Sequence, residues 1–133
     1  MAEQNKQAVR ELWRAVGDGD FDAIAACYGQ EVVYHGGSGE YRGIDQLLDY
    51  YRAYLAAFPD FRGEVVQAVA EGDLVAHRSR VTGTNTGPFM GAPATGRPVD
   101  VTGMILSRLE GGRIVEEWES FDQLELLKQL GAG

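Results

Sequence analysis

The chain has 133 residues, of which 44% are hydrophobic, and a formal net charge of −8 at pH 7. This length and apolar content predict one domain, residues 1–133, with a core and a small internal cavity. Because nucleic-acid binding depends on Lys and Arg against phosphates, the acidic charge argues against a nucleic-acid partner. The single cysteine excludes an internal disulfide, and no apolar run reaches the length of a membrane span. We therefore expect a cytoplasmic protein without membrane contact.

Two helices are predicted at the start of the chain. Apolar residues recur at helical spacing from Val9 to Val16, and Gly17 then favours a turn. Asp20 can cap a second, short helix, for which Gly29 is the expected end. This part of the chain therefore predicts two helices joined by a tight turn.

A strand and a third helix follow. Residues 31–35 are rich in Val and Tyr and predict a strand that runs into a glycine-rich loop over residues 36–39. Pro59 ends the third helix because proline disfavours the α conformation in the preceding residue. The apolar stripe of this helix comprises Ile44, Leu47, Leu48, Tyr51, Leu55 and Phe58.

The second half of the chain predicts strands and a terminal helix. The strands are expected over residues 61–70, 73–84, 98–109 and 113–121, and the helix over 123–130. Short glycine turns favour antiparallel hairpins. Strands segregated after the helices indicate an α+β fold. Three N-terminal helices can cover one side of a strongly curved antiparallel sheet of four to five strands, which would enclose a pocket.

Three segments of the second half carry a family resemblance. They are Gly-Thr-Asn-Thr-Gly at 83–87, Gly-Ala-Pro-Ala-Thr-Gly-Arg at 91–97, and Arg-Ile-Val-Glu-Glu-Trp-Glu-Ser-Phe-Asp at 113–122. Their order resembles the SnoaL-like polyketide (ester) cyclases, a branch of the cone-shaped superfamily named after nuclear transport factor 2. The resemblance extends over residues 9–131. It implies an apolar pocket with an acid–base carboxylate, a small hydrophobic carbonyl compound as partner, intramolecular aldol cyclisation, and no cofactor.

The last predicted strand carries the candidate catalytic groups. Because side chains alternate along a strand, Glu117 and Glu119 share one face, and Ile114 and Trp118 share the other. The resemblance implies that Glu119 is the acid–base residue, where the family more often has Asp, and that Glu117 shares the pocket. A solvated sheet edge is the alternative for both. Asp122 also belongs to the family pattern, although it could instead cap the terminal helix.

Two histidines and an arginine are further candidates. Many SnoaL-like proteins have a histidine at the position of His35, where a neutral imidazole could bind a substrate carbonyl or tune a carboxylate. A rim histidine bonded to loop backbone is equally possible. His77 shares a face with Ser79, and Arg78 lies on the opposite face. Family members often have an arginine at Arg78, which could anchor a substrate oxygen or form an outer salt bridge.

The remaining expected contacts are mainly apolar. The resemblance directs Gly103 and Ile105 into the pocket, where better-studied cyclases have a glutamine and a histidine, and Asn85 replaces another family histidine. The predicted pocket is therefore more apolar than that of an anthracycline-type cyclase. Other residues expected to contact a ligand are Tyr34, Tyr54 and Phe89. Two isolated histidines predict no metal site.

The sequence leaves other functions open and predicts an assembly state. A non-catalytic protein that binds a small hydrophobic ligand is the main alternative, since fold does not dictate function. Epoxide hydrolysis is disfavoured because Arg80 stands where the related hydrolases have a second Asp. Ketosteroid isomerase-like chemistry would need a tyrosine, for which Tyr28, Tyr34 and Tyr54 are available. An outer sheet face bearing Ile114, Trp118 and Leu106 predicts a homodimer.

Overall fold

The computed structural model describes residues 2–37 and 39–131, which form an α+β fold. The helices are α1 (Ala2–Asp18), α2 (Phe21–Ala26), α3 (Ile44–Ala57) and α4 (Gln123–Gln129). The strands are β1 (Tyr28–Gly36), β2 (Gly39–Arg42), β3 (Arg62–Glu71), β4 (Leu74–Thr84), β5 (Pro98–Glu110) and β6 (Arg113–Phe121). Within the described residues, no helix combines the length and apolar character that a membrane crossing needs.

The predicted helices form for the expected local reasons. Val9, Leu12 and Val16 make the buried stripe of α1. The side chain of Asp20 accepts a hydrogen bond of 3.1 Å from the Ala23 amide, which caps α2. Helix α2 ends at Ala26 and not at Gly29, because β1 already begins at Tyr28.

The sheet differs from the prediction in size and in strand direction. It has six strands in the order β2-β1-β6-β5-β4-β3, and β1 pairs with β6 in parallel. The expected antiparallel sheet of four to five strands is thus corrected to a mixed, six-stranded one. Strand β2, which the sequence analysis missed, pairs antiparallel with β1. Part of the loop predicted over residues 36–39 falls on residue 38, which lies outside the described residues.

Residues 85–97 form a loop that Asn85 organises. The Asn85 side chain is 1% exposed and donates to the Gly87 carbonyl at 2.8 Å. Its Oδ1 atom accepts from the amide and the hydroxyl of Thr95 at 2.9 and 3.0 Å. Asn85 thus joins the two ends of the loop.

The outer face of the sheet is partly apolar. Its register places Val69, Ala76, Leu106 and Trp118 side by side across four strands. Ile114 is fully buried, which corrects its predicted outer position. The cause is a bulge, since Ile114 pairs with Leu109 whereas Glu116 pairs with the adjacent Arg108. The extra residue reverses the alternation of side chains along β6. Association of two copies through this face stays a prediction.

Contact between the loop and α3 predicts the effect of a substitution at Gly87. A Cβ atom there would lie 2.1 Å from the backbone carbonyl oxygen of Ala56, which cannot rotate away. We expect Gly87→Ala to lower the free energy of unfolding by about 1–3 kcal/mol. Urea denaturation checks this value. Gly17→Ala is the control, because the nearest atom to its added methyl is 3.9 Å away. Equal effects of the two substitutions would contradict the prediction.

Candidate active site

A cavity of about 80 Å³ lies between the inner face of the sheet and helices α1 and α3. Aromatic and aliphatic side chains form most of its wall. Among the described residues that line it, the charged side chains are those of Glu117 and Glu119. Tyr34, Tyr54 and Ile105, which were named as candidate ligand contacts, also line the cavity. Two carboxyl groups therefore lie in surroundings that hold almost no other charge.

Glu119 lies beside a phenol. Its Oε2 atom accepts a hydrogen bond of 2.9 Å from the Tyr34 hydroxyl, and its Oε1 atom accepts one of 3.2 Å from the Phe121 amide. Gly36 leaves room for this carboxyl group, because a Cβ atom there would lie 2.8 Å from Oε2. Burial raises the pKa of Glu119, and the hydrogen bonds oppose that shift.

Glu117 is more deeply buried, with 2% of the residue exposed. Its Oε1 atom accepts from the Tyr28 hydroxyl at 2.7 Å, and its Oε2 atom accepts from the Ser107 hydroxyl at 2.6 Å. Ser107 is its direct cross-strand partner on β5. Burial raises the pKa of Glu117 to about 7, although both hydrogen bonds favour the ionised form. Glu117 can therefore gain or lose a proton near neutral pH.

His77 lies behind Glu117 and not in the cavity wall, which corrects its predicted contact with a ligand. Its Nε2 atom is 3.5 Å from the Ser107 hydroxyl oxygen, and its Nδ1 atom is 2.9 Å from that of Ser79. Only 1% of the residue is exposed. Burial lowers the pKa of His77 to about 4, so the imidazole is neutral at pH 7.

Two expected site residues lie on the outside of the sheet. His35 follows Tyr34 in β1, so its side chain points to the opposite face, where it stacks on Trp118 with ring centroids 5.4 Å apart. Arg78 is exposed and donates to the Gln67 side chain at 3.3 Å. Strand alternation therefore corrects the expected placement of His35 and Arg78 at the pocket.

Local packing decides the position of three further candidate residues. Gly103 faces inward, but the Phe121 ring covers it, since an added Cβ atom would lie 2.5 Å from that ring. Asp122 accepts from the Glu125 amide at 2.9 Å and caps α4, the alternative noted from the sequence. Phe89 packs against Tyr54 with ring centroids 5.3 Å apart and lines an outer groove instead of the cavity.

That outer groove is open and measures about 540 Å³. Tyr50 and Tyr54 line both the groove and the cavity, so they form the wall between them. The cavity alone is smaller than the roughly 300–1,000 Å³ typical of small-molecule sites. A ligand of that size must therefore displace the tyrosine wall or extend into the groove.

Sequence reasoning missed several partners of the carboxyl groups. Ser107 is two residues after Ile105 on β5, so its side chain lies on the same, inward face. A serine at an inward position could therefore have been recognised from the sequence as a candidate partner of the carboxyl groups. Tyr51 was predicted only as part of the apolar stripe of α3, and Tyr28 as one of three tyrosines available for catalysis. Their hydroxyls are 2.7 Å apart next to Glu117. In the described part of the chain, no group of three His, Cys, Asp or Glu side chains is placed to hold a metal ion.

Solved structures with this architecture are numerous. IdmH, a proposed polyketide cyclase from Streptomyces antibioticus, is 33% identical with a TM-score of 0.86, over 97% of this chain and 99% of that one. AclR, a proposed hydroxylase from Streptomyces galilaeus, is 30% identical with a TM-score of 0.87, over 98% of each chain. A proposed SnoaL-like polyketide cyclase from Jannaschia sp. CCS1 is 27% identical with a TM-score of 0.90, over 99% and 94%. No match was found among curated proteins.

The curved sheet, the covering helices and the apolar cavity between them define a protein of the nuclear transport factor 2-like fold. Within that class, the model of the SnoaL-like polyketide cyclases matches residues 5–130. The chain therefore belongs to the SnoaL-like polyketide cyclase family, as the sequence resemblance predicted.

The raised pKa of Glu117 predicts a pH dependence of stability. The pKa rises from 4.5 to about 7 on folding, so the folded state binds the proton more tightly. This contribution to stability is complete below pH 4.5 and is lost as the pH rises through 7. We expect the free energy of unfolding of the wild type, relative to Glu117→Gln, to fall by about 3 kcal/mol from pH 4.5 to pH 8.

Urea denaturation of both proteins at a series of pH values checks this. The comparison with Glu117→Gln is needed because the lowered pKa of His77 acts in the opposite direction, and its contribution cancels in the difference. A difference that stays constant with pH would show that burial does not hold the Glu117 proton.

Proposed function

We propose that this protein is an acid–base enzyme that acts on a small hydrophobic carbonyl compound, by a reaction such as intramolecular aldol cyclisation. The observation that carries this proposal is the pair of carboxyl groups in an otherwise apolar cavity. A carboxylate in water is a weak base, and burial increases its basicity. Such a pair is suited to moving protons on a substrate that the apolar wall binds.

Glu119 is the proposed base. It is less buried than Glu117 and accepts from the Tyr34 phenol, which lines the same cavity. Burial raises the pKa of Tyr34 well above its ordinary value, so the phenol keeps its one hydrogen. That hydrogen is donated to Glu119, and it would turn to a substrate oxygen once Glu119 takes up a proton. Glu119 would remove a proton from the carbon next to a carbonyl, while Tyr34 would stabilise the enolate oxygen.

Substrate entry would involve the tyrosine wall. Because the cavity is small, the reacting carbonyl would lie in the cavity and the rest of the molecule would extend past Tyr50 and Tyr54 into the outer groove. The aromatic rings of both residues offer flat apolar surfaces for such a molecule. This arrangement favours flat, largely hydrophobic substrates.

A binding protein without catalysis is the second candidate. The observation that favours it is that all four carboxylate oxygens in the cavity already accept a hydrogen bond. Carboxyl groups satisfied in this way can serve structure alone. In that case the cavity would hold an apolar ligand and transfer no proton.

Deuterium exchange separates the two functions. We expect the wild type to catalyse exchange of the acidic α-hydrogens of β-tetralone in D2O, followed by NMR. Glu119→Gln keeps the size of the side chain and removes the base, so exchange should fall about a hundredfold or more. Glu116→Gln is the control on the same strand, because that side chain faces outward to His35 and Arg108.

The exchange experiment gives a different result for each candidate function. Full exchange by Glu119→Gln together with loss in Glu117→Gln would transfer the role of base to Glu117. Binding of β-tetralone, seen by saturation-transfer NMR, without any exchange in the wild type would support the binding protein.

A further inference from the structure

One chain of hydrogen bonds reaches Glu117 from helix α3. The Tyr51 and Tyr28 hydroxyls are 2.7 Å apart, and Tyr28 is 2.7 Å from Oε1 of Glu117. An ionised carboxylate can only accept hydrogen bonds. Tyr28 must therefore donate to Glu117, and its oxygen is left to accept from Tyr51. Both phenolic hydrogens then point toward the carboxylate.

A second chain reaches Glu117 from the sheet. Ser107 has one hydroxyl hydrogen and donates it to Oε2 at 2.6 Å, so its oxygen faces Nε2 of His77 at 3.5 Å. The neutral imidazole carries one hydrogen, which belongs on Nε2 in this arrangement. The bare Nδ1 atom then accepts from the Ser79 hydroxyl at 2.9 Å. This chain also directs every hydrogen toward Glu117.

The other titratable groups near Glu117 do not compete for its proton at neutral pH. Burial raises the pKa of Tyr28, Tyr51 and Tyr34, so all three phenols stay neutral. Burial also raises the pKa of the Cys27 thiol. Glu119 adds a negative charge on the cavity side, which favours a proton on Glu117.

The position of that proton follows from the two chains. If the proton were placed toward Ser107, the hydrogens of Ser107, His77 and Ser79 would all have to reverse. If it were placed toward Tyr28, the two phenols would have to reverse. A free lone pair on the cavity side requires no rearrangement, since each carboxylate oxygen has two acceptor sites. Glu117 lines the cavity and can present this site to a ligand.

We propose that the two hydrogen-bond chains hold the proton of Glu117 on the cavity side, which makes Glu117 the acid that works together with Glu119. Ser107 and His77 are then positioning residues, because they act on substrate only through Glu117. The acid role rests on the proposed function, whereas the location of the proton rests on the hydrogen bonds alone.

The proton balance of the aldol step is complete. Glu119 takes a proton from carbon, and the electrons of that C–H bond form an enolate. The enolate carbon bonds to a second carbonyl carbon of the same substrate, and the C=O electron pair moves onto oxygen. That oxygen takes the proton of Glu117. Return of one proton from Glu119 to Glu117 through water restores both groups.

NMR of the isotopically labelled protein tests the location of the proton without any substrate. We expect the 13C shift of the Glu117 carboxyl carbon to titrate near pH 7, while 15N shifts keep His77 in the Nε2–H form from pH 5 to pH 9. His35 and His77 are the two histidines, so His35→Gln assigns the signals. A change of His77 tautomer at the Glu117 midpoint would place the proton toward Ser107 and overturn the proposal.

Variants test the chain itself. Ser107→Ala removes a hydrogen bond to the ionised carboxylate, so the Glu117 midpoint should rise by about one to two pH units. Ser120→Ala, an exposed serine on the same strand as Glu117, should leave it unchanged. An unchanged midpoint in Ser107→Ala would overturn the positioning role of Ser107.

Aldol cyclisation of a hydrophobic diketone, heptane-2,6-dione, tests the acid role separately, because deuterium exchange forms no second carbonyl oxygen that would need the Glu117 proton. We expect the enzymatic rate in the wild type to decline above the Glu117 midpoint, and Glu117→Gln to lower the rate about tenfold or more without such a decline. An unchanged rate in Glu117→Gln would overturn the acid role. Absence of β-tetralone exchange in the wild type, with the NMR result as expected, would reject the proposed function and the acid role but keep the proton location.

Discussion

Burial of two carboxyl groups in an apolar interior is the constraint on which this structure depends. An ionised carboxylate without partners costs several kcal/mol when it leaves water. The protein offsets this cost with hydroxyl donors from two strands. Tyr28 on β1 and Ser107 on β5 donate to Glu117, and Tyr34 on β1 donates to Glu119. The sheet register must therefore be kept, because a shift of one residue would direct each of these groups to the opposite face.

The same constraint separates the two carboxyl groups chemically. Glu119 receives backbone and phenol hydrogens and is partly exposed, whereas Glu117 is enclosed and has a pKa raised to about 7. Two like residues in different surroundings can then differ in protonation at one pH. The similar structures carry names as different as hydroxylase and cyclase, so this scaffold by itself does not fix a reaction. The carboxyl groups and their hydrogen-bond partners determine which chemistry the site can perform.

Most of the fold could be predicted from the sequence because its elements are locally periodic. The stripe of α3, the cap at Asp20 and the strands of the second half each appear within a short window. Two features were not local. The parallel pairing of β1 with β6 joins segments far apart in the chain, and the bulge near Ile114 reverses the alternation on which the assignment of faces relied. Burial of Ile114 follows from that bulge.

The sequence by itself determined the α+β class, the family and the presence of Glu117 and Glu119 on one strand face. The spacing of hydrophobic residues and the order of the segments along the chain are sufficient to predict these three features. Tertiary structure alone decided which groups surround the carboxyls. In the folded protein, His35 and Arg78 lie on the outer face of the sheet. His77 lies next to Ser107 and away from the cavity, and the Phe121 ring fills the space at Gly103. The physical reason is that a pKa and a hydrogen-bond direction depend on neighbours from distant strands and helices, which no local pattern specifies.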